Sequence, residues 1–519
     1  MSNLNAGEWK MVKFLTAAEA VAQIKDNDTI ATCGFVVSAF PTALAQALEK
    51  QFLETGTPKD LTLVYSAGQA PLNHLAHEGL LKRVIGGHWN LSRDLGKLAA
   101  ENKVEAFNLP QGTISMLFRD IAGGRIGTIT HVGLKTFIDP DIDGGAINPK
   151  AAAKKDAVEK ININGKELLL YKAMPINVCL IRGTTADEKG NISMEKEGVT
   201  LDATSIAQAT KCSGGKVIVQ VERLAKAGTL DPKLVKVPGI YVDTVVVVPP
   251  AENMPEATEL SPACNGDIHV PLGALPKLKL DQRKIIARRA AMELIPNAIV
   301  NLGIGMPESV AAVANEEGIG DYLTLTVEAG PVGGVPAAGS LFGLSYNAES
   351  ILDEPYQFDF YDGGGLDLAF LGLAECDQKG NINVSKMGST ITGCGGFINI
   401  TQNAKKVFYL GTFTTKGLKI ACEDGKLKIV QEGAVDKFPV QVGHVTFSGD
   451  YARSVGQPVM YITERAVFEL KDDGLHLTEV APGIDIEKDI LAHMAFKPVV
   501  DNPKLMDARL FREEPMGLK

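Results

Sequence analysis

Between Tyr322 and Glu328, apolar Leu323, Leu325 and Val327 alternate with Thr324, Thr326 and Glu328. A period of two predicts a strand with two unlike faces, and it puts Glu328 at the strand's C-terminal end. Upstream, Ala298–Leu302 is a short apolar run of strand length. Gly303, Ile304, Gly305, Met306 and Pro307 follow it. Glu308 to Asn315 then carries Val310 and Val313 at helical spacing. Glycines at 303 and 305 let the backbone reach positive φ and let a ligand come close. Pro307 suits the first position of a helix, where no N–H is needed. A strand, a glycine turn and a helix N-terminus together offer free N–H groups to an anion. The turn is a candidate for holding a phosphate-bearing ligand or a developing oxyanion, although an ordinary tight turn has the same pattern.

The same order of elements occurs earlier. Thr16-Ala-Ala-Glu19 has the form of a capping box, with Ala20, Val21 and Ile24 at helical spacing behind it. Thr29–Cys33, Gly34, Pro41 and Thr42–Glu49 then repeat strand, glycine, proline and helix. A second pair of segments, Asn177–Met194 and Asp367–Val384, shares an apolar strand, an acid and a Lys-Gly-Asn-Ile run. The Lys-Gly-Asn run suits a hairpin tip. Two shared patterns in one order indicate an internal duplication. The copies are unequal, because the first keeps only Gly34 of the glycine turn and has no counterpart of Glu328. Pro249–Pro276 is rich in Pro and polar residues and lacks periodicity, so it reads as a linker. The expected domains are 1–275, including the linker from about 249 to 275, and 276–519. Each alternates short apolar runs with helical stretches, which predicts α/β architecture with mostly parallel sheets. Asp281–Ile295 reads as a helix with a solvated basic face beside a buried stripe.

With 45% hydrophobic and 22% charged residues, the chain has an ordinary globular composition, so its apolar runs belong to cores. A formal net charge of −10 argues against a general nucleic-acid binder. Seven scattered cysteines with no CxxC pair fit a reducing cytoplasm and no structural zinc. The histidines form no HxH or HExxH pattern, so no metal site is expected. No apolar run reaches membrane-spanning length. Met1–Phe14 lacks the apolar stretch and cleavage site of a signal peptide. The expectation is a cytoplasmic protein with neither membrane nor nucleic acid as partner.

Ligands of open α/β sheets collect beyond the carboxyl ends of strands, which is where the pattern puts Glu328. A carboxylate there can attack a thioester carbonyl, since Asp and Glu serve as covalent nucleophiles. An isolated glutamate is more often a solvated acid, so its neighbours decide. GIGMP, VEAG-PVGG-VPAAG, YDGGGLDLAFLGLAECDQKGNIN and GCGGFINI occur in this order between Gly303 and Ile400. With them the chain resembles the family I coenzyme A transferases, and within these the propionate and acetate branch. The resemblance covers nearly the whole chain. It implies two similarly folded α/β domains with the active site in the cleft between them. It implies Glu328 as nucleophile, a covalent glutamyl–CoA thioester and ping-pong transfer between short-chain acyl-CoA and free acids such as acetate, propionate, butyrate and lactate. It implies coenzyme A as substrate with no permanently bound cofactor, and a homodimer or homotetramer.

Phe107-Asn-Leu-Pro-Gln-Gly-Thr113 is similar to a family segment and makes Gln111 a candidate oxyanion donor from the opposite domain. Val132–Pro140 is similar too, as wall rather than chemistry. Gly393, Gly395 and Gly396 would let the chain pass close to a bound thioester, with exposed N–H groups for its oxyanion. Cys394 among them has no histidine in a matching local motif and is not expected to be a nucleophile. An acyl-CoA hydrolase using the same glutamate and a non-enzymatic ligand-sensing α/β protein remain as alternatives. A nicotinamide dehydrogenase fits less well, since GIGMP lacks the third glycine of GxGxxG.

Overall fold

The computed structural model describes residues 12–253, 262–271 and 277–519. The expected division at 275/276 falls outside the described residues, as does part of the linker. Two sheets organise the chain. The first is built wholly from parallel pairs, in the order Lys13–Phe14, Thr244–Val247, Lys216–Val221, Val178–Arg182, Thr29–Thr32, Leu61–Tyr65, Leu81–Gly86 and Glu105–Asn108. The second has a parallel centre of Thr324–Thr326, Ile299–Leu302, Leu368–Gly372, Lys406–Leu410 and Val459–Ile462. Antiparallel strands extend that centre on both sides.

The duplication is visible in the topology. Thr244–Val247, Lys216–Val221, Val178–Arg182, Thr29–Thr32 and Leu61–Tyr65 lie side by side in that order. Val459–Ile462, Lys406–Leu410, Leu368–Gly372, Ile299–Leu302 and Thr324–Thr326 repeat it. Registers agree at the centre: Ile30 lies opposite Val178 as Val300 lies opposite Leu368. The Lys-Gly-Asn runs are hairpin tips in both halves. Asp187 Oδ1 accepts from the Lys189 and Asn191 N–H groups, each at 2.9 Å. Asp377 Oδ1 accepts from those of Lys379 at 2.9 Å and Asn381 at 3.1 Å. Gly190 and Gly380 take up the left-handed conformation, at φ +81° and +78°.

Four helices line the seam between the halves: α1 (Gln111–Ala122), α2 (Ala203–Cys212), α3 (Glu354–Asp362) and α4 (Phe397–Asn403). Helix α1 packs on the other three, and α3 on α4. Gly112 allows the closest approach, since a Cβ there would stand 2.3 Å from the Phe358 ring. The core of the first half runs on through Val327, Ala329, Cys394 and Ile398 of the second. At 20–33 cal/mol per Å² of apolar surface, such continuity favours a fixed relation between the sheets.

One expectation is overturned. The helix Gln282–Ala291 has no solvated basic face: Lys284, Arg288 and Arg289 are all at most 5% exposed. Lys284 pairs with Glu316 at 2.7 Å, and Arg289 with Glu479 and Glu293. Arg288 donates to the carbonyls of Arg512 and Glu514 in the C-terminal segment, which covers this face. Buried cations need such partners. Among the described residues, no helix is long and apolar enough to cross a membrane.

Candidate active site

A cavity of about 600 Å³ opens between the halves. The second half contributes Glu328, Gly303, Ile304, Asn301 and the run Gly393–Gly396. The first contributes Gln111, His88, Gly68 and the loop Phe35–Val37. Seven of the sequence candidates therefore meet on one wall system: Glu328, Gln111, Gly303, Ile304, Gly393, Gly395 and Gly396. Gly305, Met306 and Pro307 do not line the cavity. Met306 packs into the core of the second half.

The GIGMP turn differs in detail from the expectation. Only Gly305 has the left-handed backbone, at φ +85°, and a Cβ there would meet none of the described residues within 4 Å. Gly303 has no positive φ. It is small because a Cβ would come within 2.8 Å of Leu371 Cδ2. Pro307 caps the helix Glu308–Glu316 from just outside it. Arg283 Nη1 donates to the Gly305 carbonyl at 2.8 Å and steadies the turn.

The strand ending at Glu328 is shorter than its alternation, since Thr324–Thr326 pairs and Val327–Gly330 turns. Helix α3 holds this turn. Tyr361 Oη donates to Thr326 Oγ1 at 2.8 Å, and Gln357 Nε2 to the Val327 carbonyl at 3.2 Å. The Gly330 N–H closes the turn on the Val327 carbonyl at 3.0 Å. Glu328 is 8% exposed. Burial raises its pKa above the usual glutamate range, opposed by its own N–H and the Asn301 side chain. A carboxylate with little hydration is better prepared to attack than one in bulk water.

Most N–H groups of the glycine run are already used. Gly393 donates to the Ser385 carbonyl at 3.0 Å, Cys394 to Asn108 Oδ1 at 2.9 Å, and Gly395 to the Gly87 carbonyl at 2.8 Å. Among the described residues, the N–H groups of Gly396 and Ile304 have no partner, whereas that of Gly303 bonds Phe370. Within the two glycine runs, the cavity's free backbone donors thus narrow to Gly396 and Ile304. The Cys394 thiol is buried, which pushes its pKa up, so it is a poor nucleophile.

Gln111 is the first residue of α1 and is 2% exposed. Its N–H donates to the Gly395 carbonyl at 2.9 Å, across the seam. Its Nε2 donates to Glu354 Oε1 at 2.6 Å. Sequence reasoning missed Glu354, His88, Asn301 and the loop Phe35–Val37. The loop could have been found as the counterpart of GIGMP in the repeat. His88 has no local signal. Burial lowers its pKa to about 4, so the ring is neutral near neutral pH, with Nδ1 unpartnered among the described residues. Val36 has φ +55°, a strained conformation for a β-branched residue, and lines the cavity.

Comparison with known proteins places this arrangement. The family profile for coenzyme A transferase matches residues 14–248. Caffeate CoA-transferase of Acetobacterium woodii is 44% identical over 98% of this chain and 99% of its own length. Acetate CoA-transferase YdiF of Escherichia coli K12 is 42% identical over 98% of this chain and 96% of its own. A crystal structure of the E. coli O157:H7 acyl-CoA transferase YdiF, as a thioester complex with CoA, superposes with a TM-score of 0.91. It is 42% identical and covers 98% of both chains. With relatives this similar along their whole length, and two α/β halves enclosing one cavity, this chain belongs to the coenzyme A transferase family.

Proposed function

We propose that this enzyme transfers coenzyme A between acyl-CoA thioesters and free carboxylic acids through a covalent glutamyl–CoA thioester on Glu328. The observation that carries the reading is the buried Glu328 carboxyl on the wall of a cavity that also holds Gln111 and the free N–H groups of Gly396 and Ile304. A Glu328 oxygen attacks the thioester carbonyl. The carbonyl π pair moves onto oxygen, where Gly396, Ile304 and Gln111 supply donors for the oxyanion. The C–S bond then breaks, giving an acyl-glutamyl anhydride and CoA thiolate. The thiolate attacks the glutamyl carbonyl, the acyl carboxylate leaves, and CoA is now held on Glu328. A second carboxylate repeats the steps in reverse. The Phe35–Val37 loop and Phe342 supply an apolar wall that keeps water from the anhydride and thioester. We assign the outer side of the GIGMP turn, at the half-buried Gly305, to the remote part of CoA. We place the division between the halves at 275/276.

Two relatives of nearly equal identity are named for different acids, one for caffeate and one for acetate. The acid is therefore best found with a panel containing acetate, propionate, butyrate, lactate and caffeate. CoA release from acetyl-CoA and propionyl-CoA is expected to need one of them. Release at the same rate with no acid present would make the enzyme a hydrolase instead.

Burial gives a second expectation, for pH. A carboxyl whose pKa is raised is protonated, and so not nucleophilic, at a pH where an exposed glutamate is still ionised. Turnover should be full at higher pH and fall on acidification through the raised pKa of Glu328. An acid limb of kcat/KM lying at or below the ordinary glutamate value would contradict this.

A further inference from the structure

The seam has a local two-fold symmetry centred on one hydrogen bond. Gln111 is the first residue of α1, and Glu354 is the first residue of α3. The Gln111 N–H donates to the carbonyl of Gly395, two residues before α4 begins; the Glu354 N–H donates to that of Leu201 at 3.0 Å, two residues before α2 begins. Gly395 and Leu201 share the left-handed conformation, at φ +51° and +52°. The two side chains meet head to head, with Gln111 Nε2 donating to Glu354 Oε1 at 2.6 Å. One side of the pair faces the cavity. The other faces Ser66, whose Oγ donates to Glu354 Oε2 at 3.3 Å, and the buried carboxyl of Asp202.

We propose that Glu354 is a positioning residue for the transfer reaction, its carboxyl holding the Gln111 amide in one of its two possible orientations. This rests on the reading of Gln111 as a group that meets the substrate. A glutamine side chain has nearly the same shape with its oxygen and nitrogen exchanged, so its neighbours decide which end points where. An acceptor facing it draws the NH2 end. Glu354 Oε1 is that acceptor, and it leaves one Nε2 hydrogen and Oε1 of Gln111 for the cavity. Glu354 is fully buried, and among the described residues no lysine or arginine pairs with it. Burial first, then Asp202, raises its pKa well above the usual range. A proton held there belongs on Oε2, because Oε1 faces the Gln111 NH2, which can only donate, whereas the Ser66 hydroxyl beside Oε2 can turn to accept. An apolar side chain would hold the seam at least as well as a buried acid, so this acid is better explained by what it does to Gln111.

Glu354→Met removes the acceptor and keeps the bulk. It is expected to lower kcat about 10- to 100-fold, the range for losing a group that orients a reacting one, with KM for acyl-CoA changed little and thermal unfolding near that of the parent. Glu354→Gln should recover most of kcat, since its amide oxygen can accept the same bond while its NH2 faces Ser66 and Asp202. In a Gln111→Ala background, Glu354→Met should have no further effect on kcat, because its target is gone. Parental kcat in Glu354→Met, or a full additional loss in the Gln111→Ala background, would overturn the proposal. If the Met variant does not fold, Glu354→Asp is read in its place with the same expectation, because it withdraws the acceptor by one methylene. Absence of a CoA adduct on Glu328 in the parent would count against the covalent route alone, since these variants are read by turnover.

Discussion

Glu328→Gln is expected to reduce transfer by several orders of magnitude, the scale seen when a nucleophile is removed, while leaving the fold intact. The amide matches the carboxyl in volume and hydrogen-bonds, and the surrounding turn is held by main-chain and α3 contacts rather than by the Glu328 side chain. Stability should hold or rise slightly, because a buried ionisable group that has no cation partner among the described residues becomes neutral. A neutral amide oxygen cannot open the covalent path. The parent incubated with acyl-CoA and no acceptor acid should carry CoA on the peptide containing Glu328, and the Gln variant should carry none. Intact-mass and peptide mass spectrometry read the adduct, and a turnover assay reads the loss. An adduct on another residue, or an active Gln variant, would remove Glu328 from the mechanism.

How much of this site could be read from sequence depends on how far apart its determinants lie. Glu328 was legible because strand alternation, the glycines after it and the upstream turn fall within one stretch. The duplication was legible because each hairpin tip is a local device: Asp187 and Asp377 bond N–H groups two and four residues on. The buried helix Gln282–Ala291 was misread because its arginines are satisfied from afar. Arg288 is covered by a segment more than two hundred residues downstream, and no periodicity records such a cover. Gly303 and Gly305 looked alike in sequence yet differ in cause, one set by packing against Leu371 and the other by its own φ. Glu354 opens an acidic, aromatic helix and belongs to no local motif, and its partner Gln111 belongs to the other half of the chain. Glycine-rich runs also overstate their free donors: tertiary contacts occupy all but one N–H of Gly393–Gly396.

The second large effect is expected at Gly330, two residues beyond Glu328. Its φ of +129° is a conformation that L side chains rarely adopt, and a Cβ there would stand 2.1 Å from the Leu352 carbonyl oxygen. That oxygen is main chain, so no rotamer change relieves the clash. The Leu352 N–H also donates to the Gly330 carbonyl at 3.0 Å, tying the two segments together on one side. In Gly330→Ala the turn must therefore separate from Leu352, and the displacement passes directly to Glu328. A shift of about 1 Å in a reacting group can reduce the rate on the order of a hundredfold, so kcat should fall by that order. Strain of this kind costs about 1–3 kcal/mol of stability, which leaves the protein folded. Gly456→Ala supplies the control. Gly456 ends the helix Gly449–Val455 at φ +69°, none of the described residues lies within 4 Å of its missing Cβ, and it is not part of the cavity wall. It should lose stability of the same order and keep parental turnover. If Gly330→Ala also keeps parental turnover, the turn after Glu328 does not set the nucleophile's position; if both variants lose activity alike, the loss reflects stability and not the placement of Glu328.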